Sequence, residues 1–288
     1  MSLGILTNVA ATYAENNLNQ TQNSLQTVLQ QLSSGSRINS GADDAAGLSV
    51  ADGLHANEAA LNQSAQNAQN GVGLLQTADG ALSQVTNLLD RATTLATEAQ
   101  NGGLTAAQST AADTEYQSIL TEIGNIGTAT TFNGTAVFGA GATNFVVTDG
   151  TTAGTTTIGA VIGALTAGSV GTTGAPSATA AGAGAVLTGT VLTSQTSAGT
   201  ALGFITAAVA DIANQRGSIG ANINQLNAAA NVASSEEVNL SSAESSIRST
   251  NYGQATSDLA KFQVLSQTGI SALAQANSVQ QEILKLLQ

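Results

Sequence analysis

The sequence predicts a mainly α protein. A long helical coiled-coil bundle is built from both chain ends, with a small β-rich flank in the centre. Three observations carry this. First, alternating steps of three and four from position 202 meet Leu202, Ile205, Val209, Ile212, Arg216, Ile219, Ile223, Leu226, Ala230, Ala233, Glu237, Leu240, Glu244 and Ile247, and eleven of these fourteen positions are apolar. A heptad sustained this long predicts one coiled-coil helix of about 45 residues. Second, both chain ends carry thin apolar stripes in which Asn, Gln and Ser take the place of charges. Third, residues 139–200 are dominated by Gly, Ala and Thr, and Asp149 is their only charge.

The first predicted helix covers about 4–34, with Leu18, Leu25, Val28, Leu29 and Leu32 at helical spacing. It lacks ion pairs and a wide apolar face, so it should be marginal alone and ordered by partners. Gly35 breaks the pattern. Ser40 and Asp43 have the spacing of a helix N-cap and its reciprocal acid, and the helix they open should run over about 43–100. Its stripe includes Leu61, Ala65, Ala68, Val72, Leu75, Leu82, Leu89 and Ala96, and Asn101-Gly102-Gly103 should end it. A further helix over about 105–127 sets Tyr116, Ile119, Leu120, Ile123 and Ile126 on one side.

In the centre, 145–147, 155–162 and 186–192 are β-like runs between glycines, predicting hairpins with long loops. After the heptads, Asn251-Tyr252-Gly253 separates a last helix that carries Leu259, Phe262, Leu265, Ile270, Leu273, Ile283 and Leu287.

The 288 residues are 8% charged and 3% aromatic, with one histidine and no cysteine. Small aliphatic side chains must therefore fill the interior. The net charge of −12 lies wholly in the middle, where fifteen acids face Arg91, Arg216 and Arg248. Glu15 cancels Arg37 at one end, and Asp258 and Glu282 cancel Lys261 and Lys285 at the other. Neutral ends can pack against copies of themselves, while an acidic middle faces solvent. Six basic residues argue against nucleic-acid binding. No secretory signal precedes Arg37, and no apolar stretch approaches membrane-spanning length, so membrane insertion is not expected.

Catalytic patterns are missing. With His55 alone there is neither an HExxH motif nor a histidine-rich metal site, and thiolate ligands are excluded. No GxSxG surrounds a serine, and no Walker or complete GxGxxG pattern links a strand to a helix. Asp43-Asp44 and Glu236-Glu237 suit helix-terminal charge and a solvated face better than acid–base chemistry. No catalytic residue, cofactor or metal is expected, which leaves association as the function to explain.

The stretch LSSGSRINSGADDAAGLSV at 32–50 resembles the signature near the N-terminus of bacterial flagellins, and LSQTGISALAQANSVQQEILKLLQ at 265–288 resembles their C-terminal end. The resemblance covers roughly the first 135 and last 85 residues. It implies a structural subunit that polymerises into the flagellar filament, extracellular and exported without a cleaved signal. It implies filament-core helices at 1–42 plus 249–288, a helical bundle at 43–138 plus 200–248, and an outer segment at 139–199. Subunit packing would fall to Leu18, Leu25, Leu29, Leu32, Leu259, Phe262, Leu265, Leu273, Ile283 and Leu287. The implied partners are the chain itself, flagellar cap and junction proteins, and an export chaperone at the C-terminal end. An animal Toll-like receptor is a further implied partner, through Arg91, Leu95 and Glu115; the family motif's next arginine and glutamate stand here as Thr93 and Thr94. A hook–filament junction protein shares the terminal design and is the alternative reading.

Overall fold

The computed structural model describes residues 8–139, 142–149, 151, 154–166, 169–172 and 185–286. The helices are α1 (Val9–Ser34), α2 (Ala45–Gln100), α3 (Ala106–Ala129), α4 (Gln195–Arg248) and α5 (Tyr252–Leu286). Between α3 and α4 lie β1 (Thr131–Phe132), β2 (Thr135–Ala136), β3 (Ala142–Val147), β4 (Thr156–Val161), β5 (Ala164–Thr166), β6 (Ser169–Thr172) and β7 (Ala185–Val186). The mainly α fold class holds. Contacts divide the chain into two compact units, Met1–Ala56 with Asn239–Gln288, and Asn57–Val238.

In the first unit α1 and α5 run antiparallel. Asn8 Nδ2 donates to the Ala276 carbonyl at 3.0 Å, and Thr250 Oγ1 donates to the Gln31 carbonyl at 3.3 Å. Between these ends Leu18 lies beside Gly269, where an added Cβ would stand 3.3 Å from Leu18 Cδ1. Asn8 also caps α1, accepting the Ala11 N–H at 3.0 Å. Gly35 ends it in the left-handed region, with φ +72°. A side chain at Gly35 would press on the Tyr252 hydroxyl, 2.9 Å from the added Cβ, so glycine serves both the turn and the close approach.

The start of α2 corrects one expectation. Ser40 does not cap the helix. Asp43 Oδ2 accepts the N–H groups of Asn39 at 3.0 Å and Ser40 at 2.8 Å, closing a turn before the helix. Those N–H groups hold the Asp43 carboxyl below its ordinary value. Asp44 takes the cap instead, its Oδ1 accepting the Gly47 N–H at 2.8 Å. The spacing marked Ser40 and Asp43, but the local turn consumes Asp43 and the cap passes to the next acid.

The second unit is organised on α2, α3 and α4. The α2 stripe read from the sequence is buried except for Val72, which is half-buried. Tyr116, Ile119, Leu120 and Ile123 of α3 join the same core, as do Ile205, Ile212, Ile219 and Leu226 of α4. The α4 helix is longer than its heptads predicted, 54 residues, because Ala198 and Ala201 extend the buried seam upstream. Two polar breaks in the seam find partners here: Arg216 pairs with Asp79 at 2.8 Å, and Glu237 accepts from Asn62 at 2.7 Å.

One further expectation is corrected on α4. It contains an 18-residue window long and apolar enough to cross a membrane, of which 28% is buried. On this helix Ala201, Ile205, Ala208 and Ile212 line the packed seam, whereas Ala207, Ala210 and Ala213 are exposed.

Among the described residues the strands form three separate antiparallel sheets, β1–β2, β3–β4 and β5–β6–β7. The β1–β2 hairpin turns on Asn133 and Gly134, both at positive φ, as a two-residue loop favours. In the predicted β-run 186–192, only Val186 belongs to a strand. The Leu187 carbonyl accepts both the N–H and the hydroxyl of Thr190, and Gly189 has φ +80°, so the chain turns.

Candidate functional site: the neutral helix pair and the paired charges of the bundle

The 32–50 signature forms a clasp in the first unit. Ser36 and Ser249 make an antiparallel β-bridge. It is reinforced by Arg37 N–H to the Arg248 carbonyl at 2.6 Å and by Thr250 N–H to the Gly35 carbonyl at 3.0 Å. Arg37 Nη2 donates to the Ile247 carbonyl at 2.8 Å, and Ile38 is buried. The two chain segments that flank α1 and α5 are thus stitched together where those helices meet. Glu244, the third polar break in the heptads, serves the same unit, 3.1 Å from Arg248 and 3.5 Å from His55 Nδ1.

The ten predicted packing residues divide by exposure. Leu18, Leu25, Leu32, Leu259, Phe262 and Leu273 are half-buried. Leu29 and Leu265 are exposed, at 47% and 43%. The Ile283 side chain and all of Leu287 lie outside the described residues. A groove of about 400 Å³ is lined by Ala14, Leu18, Leu265, Gly269 and Ala272, with Asn17, Thr21 and Thr268. Stronger outward apolar residues were missed: Val9 at 59%, Tyr13 at 68%, Val264 at 62% and Ile270 at 53%. On α1, Val9 and Tyr13 lie on the side of the helix opposite Leu18 and Leu25, while on α5 Val264 and Ile270 lie on different sides. Apolar spacing marks stripes, but it cannot tell which one the partner helix covers.

On the second unit, Arg91 of α2 and Glu115 of α3 meet in a bidentate pair at 2.7 and 3.0 Å. The hydrogen bonds from Arg91 hold the Glu115 carboxyl below its ordinary value, and Glu115 in turn raises Arg91. Leu95 does not join them at the surface; it is 3% exposed and packs in the core.

Sequence comparison then decides the family. The profile of the bacterial flagellin N-terminal helical region matches residues 5–143, and that of the bacterial flagellin C-terminal helical region matches 202–287. The chain belongs to the bacterial flagellin family.

Flagellin 1 of Proteus mirabilis is 37% identical over 151 residues, covering 52% of this chain and 41% of that protein. The B-type flagellin of Pseudomonas aeruginosa is 42% identical over 134 residues, covering 46% and 28%. A flagellin of Serratia marcescens is 41% identical over 137 residues, covering 48% and 39%. The chain thus spans well under half the length of these relatives. The crystal structure of Bacillus cereus flagellin aligns with TM-score 0.45 and 25% identity, over 58% of this chain and 88% of that one. The two flagellin regions account for α1 to β2 and for nearly all of α4 and α5, and they leave the β5–β7 sheet between them.

Proposed function

We propose that this flagellin-family chain is a structural, non-enzymatic subunit that polymerises non-covalently into the extracellular bacterial flagellar filament. The observation that carries the reading is the surface of α1 and α5. These helices are nearly free of charge, yet they leave Val9, Tyr13, Leu29, Val264, Leu265, Ile270 and Val279 exposed. Outward apolar stripes on marginal helices fit burial against further copies. Contacts between different patches of identical chains do not close, and so build a helical polymer.

In this reading residues 1–42 and 249–288 form the filament core, 43–138 and 200–248 the next layer, and 139–199 an outer segment. Flagellar cap and junction proteins are further partners, an export chaperone binds at the C-terminal end, and export needs no cleaved signal. Electron microscopy of the purified chain tests the function: long uniform filaments are expected. A chain that stays monomeric at high concentration overturns it and favours a junction role.

Recognition by an animal Toll-like receptor rests on the Arg91–Glu115 pair, which presents a fixed guanidinium edge at the surface. A receptor reporter assay should lose signal on Arg91→Ala. Silence from the wild-type monomer refutes this part alone.

A further inference from the structure

The arginines of this chain are satisfied internally. Arg91 has Glu115, Arg216 has Asp79, Arg248 has Glu244, and Arg37 has the Ile247 carbonyl. Lys261 on α5 differs. Among the described residues it forms no salt bridge, and its ammonium lies 5.6 Å from the centroid of the Phe262 ring. Asp258, one turn earlier, accepts instead from Gln254 Nε2 at 3.1 Å. One turn later come the exposed Val264 and Leu265. Lys261 is therefore a cation at the border of an outward apolar stripe.

Glu15 is the counterpart on α1. It is the only charged residue of that helix, it is exposed, and among the described residues it too forms no salt bridge. The half-buried Leu18 and the exposed Leu29 lie on its side of the helix, at three and fourteen residues' spacing.

The two charges do not meet within one chain. The antiparallel pairing sets Asn8 beside Ala276 and Leu18 beside Gly269, which places Glu15 level with positions near 270. Lys261 lies eight or more residues further along α5, a separation of roughly 12–16 Å at the helical rise.

We propose that Glu15 of one copy pairs with Lys261 of a second copy, and that this pair sets the register in which α1 of one subunit packs on α5 of the next. The inference rests on the filament reading. The occupant is a second copy because the charges complement each other: the one acid of α1 and, among the described residues, a base of α5 that has no ion pair. Burying either charge alone would be strongly unfavourable, whereas burying them together leaves neither unpaired. A single polar contact in an apolar helical interface is also an established way to fix register, since slipped alignments leave it unmatched. Two distinct patches in contact make the heterologous arrangement that an open polymer needs.

The test measures the critical concentration for polymerisation of the full chain as wild type, Glu15→Lys, Lys261→Glu and the double reversal. Circular dichroism of each monomer checks that helix content is unchanged. Each single reversal places like charges in the interface and should raise the critical concentration about tenfold or more. The double reversal restores an opposite pair and should return to within about threefold of wild type. Wild type that never polymerises overturns the filament reading and this inference with it. Wild type that polymerises, with single reversals at the same critical concentration or a double reversal as poor as the singles, overturns this inference and leaves the reading standing.

Discussion

Ser64 and Thr148, eighty-four positions apart, exchange two hydrogen bonds: the Ser64 hydroxyl donates to the Thr148 carbonyl at 2.7 Å and accepts the Thr148 N–H at 2.9 Å. Ser64 is 1% exposed on α2, and Thr148 follows the last residue of β3. A helix hydroxyl thus holds the backbone at the end of the strand through both its N–H and its carbonyl. Two turns further along α2, Gly71 lets the Phe145 ring approach to 2.8 Å of where a Cβ would stand. Together they dock the β3–β4 hairpin on the helix.

Removing that hydroxyl should cost stability. Ser64→Ala deletes both bonds at a buried site, and about 1–3 kcal/mol is expected. Hydrogen exchange should show the loss concentrated at 142–161. Unchanged protection of the hairpin would show that Phe145 packing alone holds it.

Two glycines should respond in opposite directions to alanine. At Gly127 an added Cβ would collide with the Leu165 carbonyl oxygen, a backbone atom that cannot swing aside. Gly127→Ala should therefore destabilise by about 1–3 kcal/mol through overpacking, despite a helix-propensity gain below about 1 kcal/mol. Gly217, mid-helix on α4, has nothing within 4 Å of an added Cβ. Gly217→Ala should stabilise by roughly 0.5–1 kcal/mol. Denaturant melts of both variants check the contrast, and equal signs would refute the tight approach of α3 to β5.

The Arg91–Glu115 pair should respond to acid. Hydrogen bonds from Arg91 lower the Glu115 pKa below its ordinary 4.5. A lowered folded value means its contribution is present above 4.5 and is lost as pH falls through the folded value. Side-chain carboxyl NMR should find Glu115 titrating below 4.5 in wild type and moving back up in Arg91→Ala. The stability change should be small, because the side chains are 55% and 46% exposed. Identical titrations in the two proteins would mean the pair does not persist in solution.

Polymerisation should protect the terminal helices. The outward apolar face of α1 and α5 is covered only by other copies in the proposed filament, so limited proteolysis should cut within 1–40 in monomer and spare it in filament. Equal protection in both states would argue that α1 is already held by α5 alone.

Much of this architecture was legible in the residues. The heptads of α4, the α2 stripe and the α3 face are long, and their period is that of the helix, so burial follows spacing. Several features needed more than spacing. Asn133-Gly134 between two short runs is a readable hairpin signal, whereas 186–192 looked like a strand because its Val and Leu residues outweigh one glycine. Ser40 and Asp43 read in one dimension as a cap and its acid; only the turn at 40–43 shows that Asp44 takes the cap. At the candidate interface, the stripe of Leu18, Leu25 and Leu32 was visible, but Val264 and Ile270 were not distinguished from it.

By itself, the sequence determined the helical class, the neutral ends around an acidic middle, and the flagellin signatures. Each follows from periodicity, composition or motif, which are local or additive along the chain. Only the tertiary structure decided which stripe of α1 and α5 faces inward, which places Leu95 in the core, and which acids the arginines take. Those outcomes depend on residues far apart in sequence competing for the same neighbours. They also leave Glu15 and Lys261 without an ion pair among the described residues, a fact no count of charges contains.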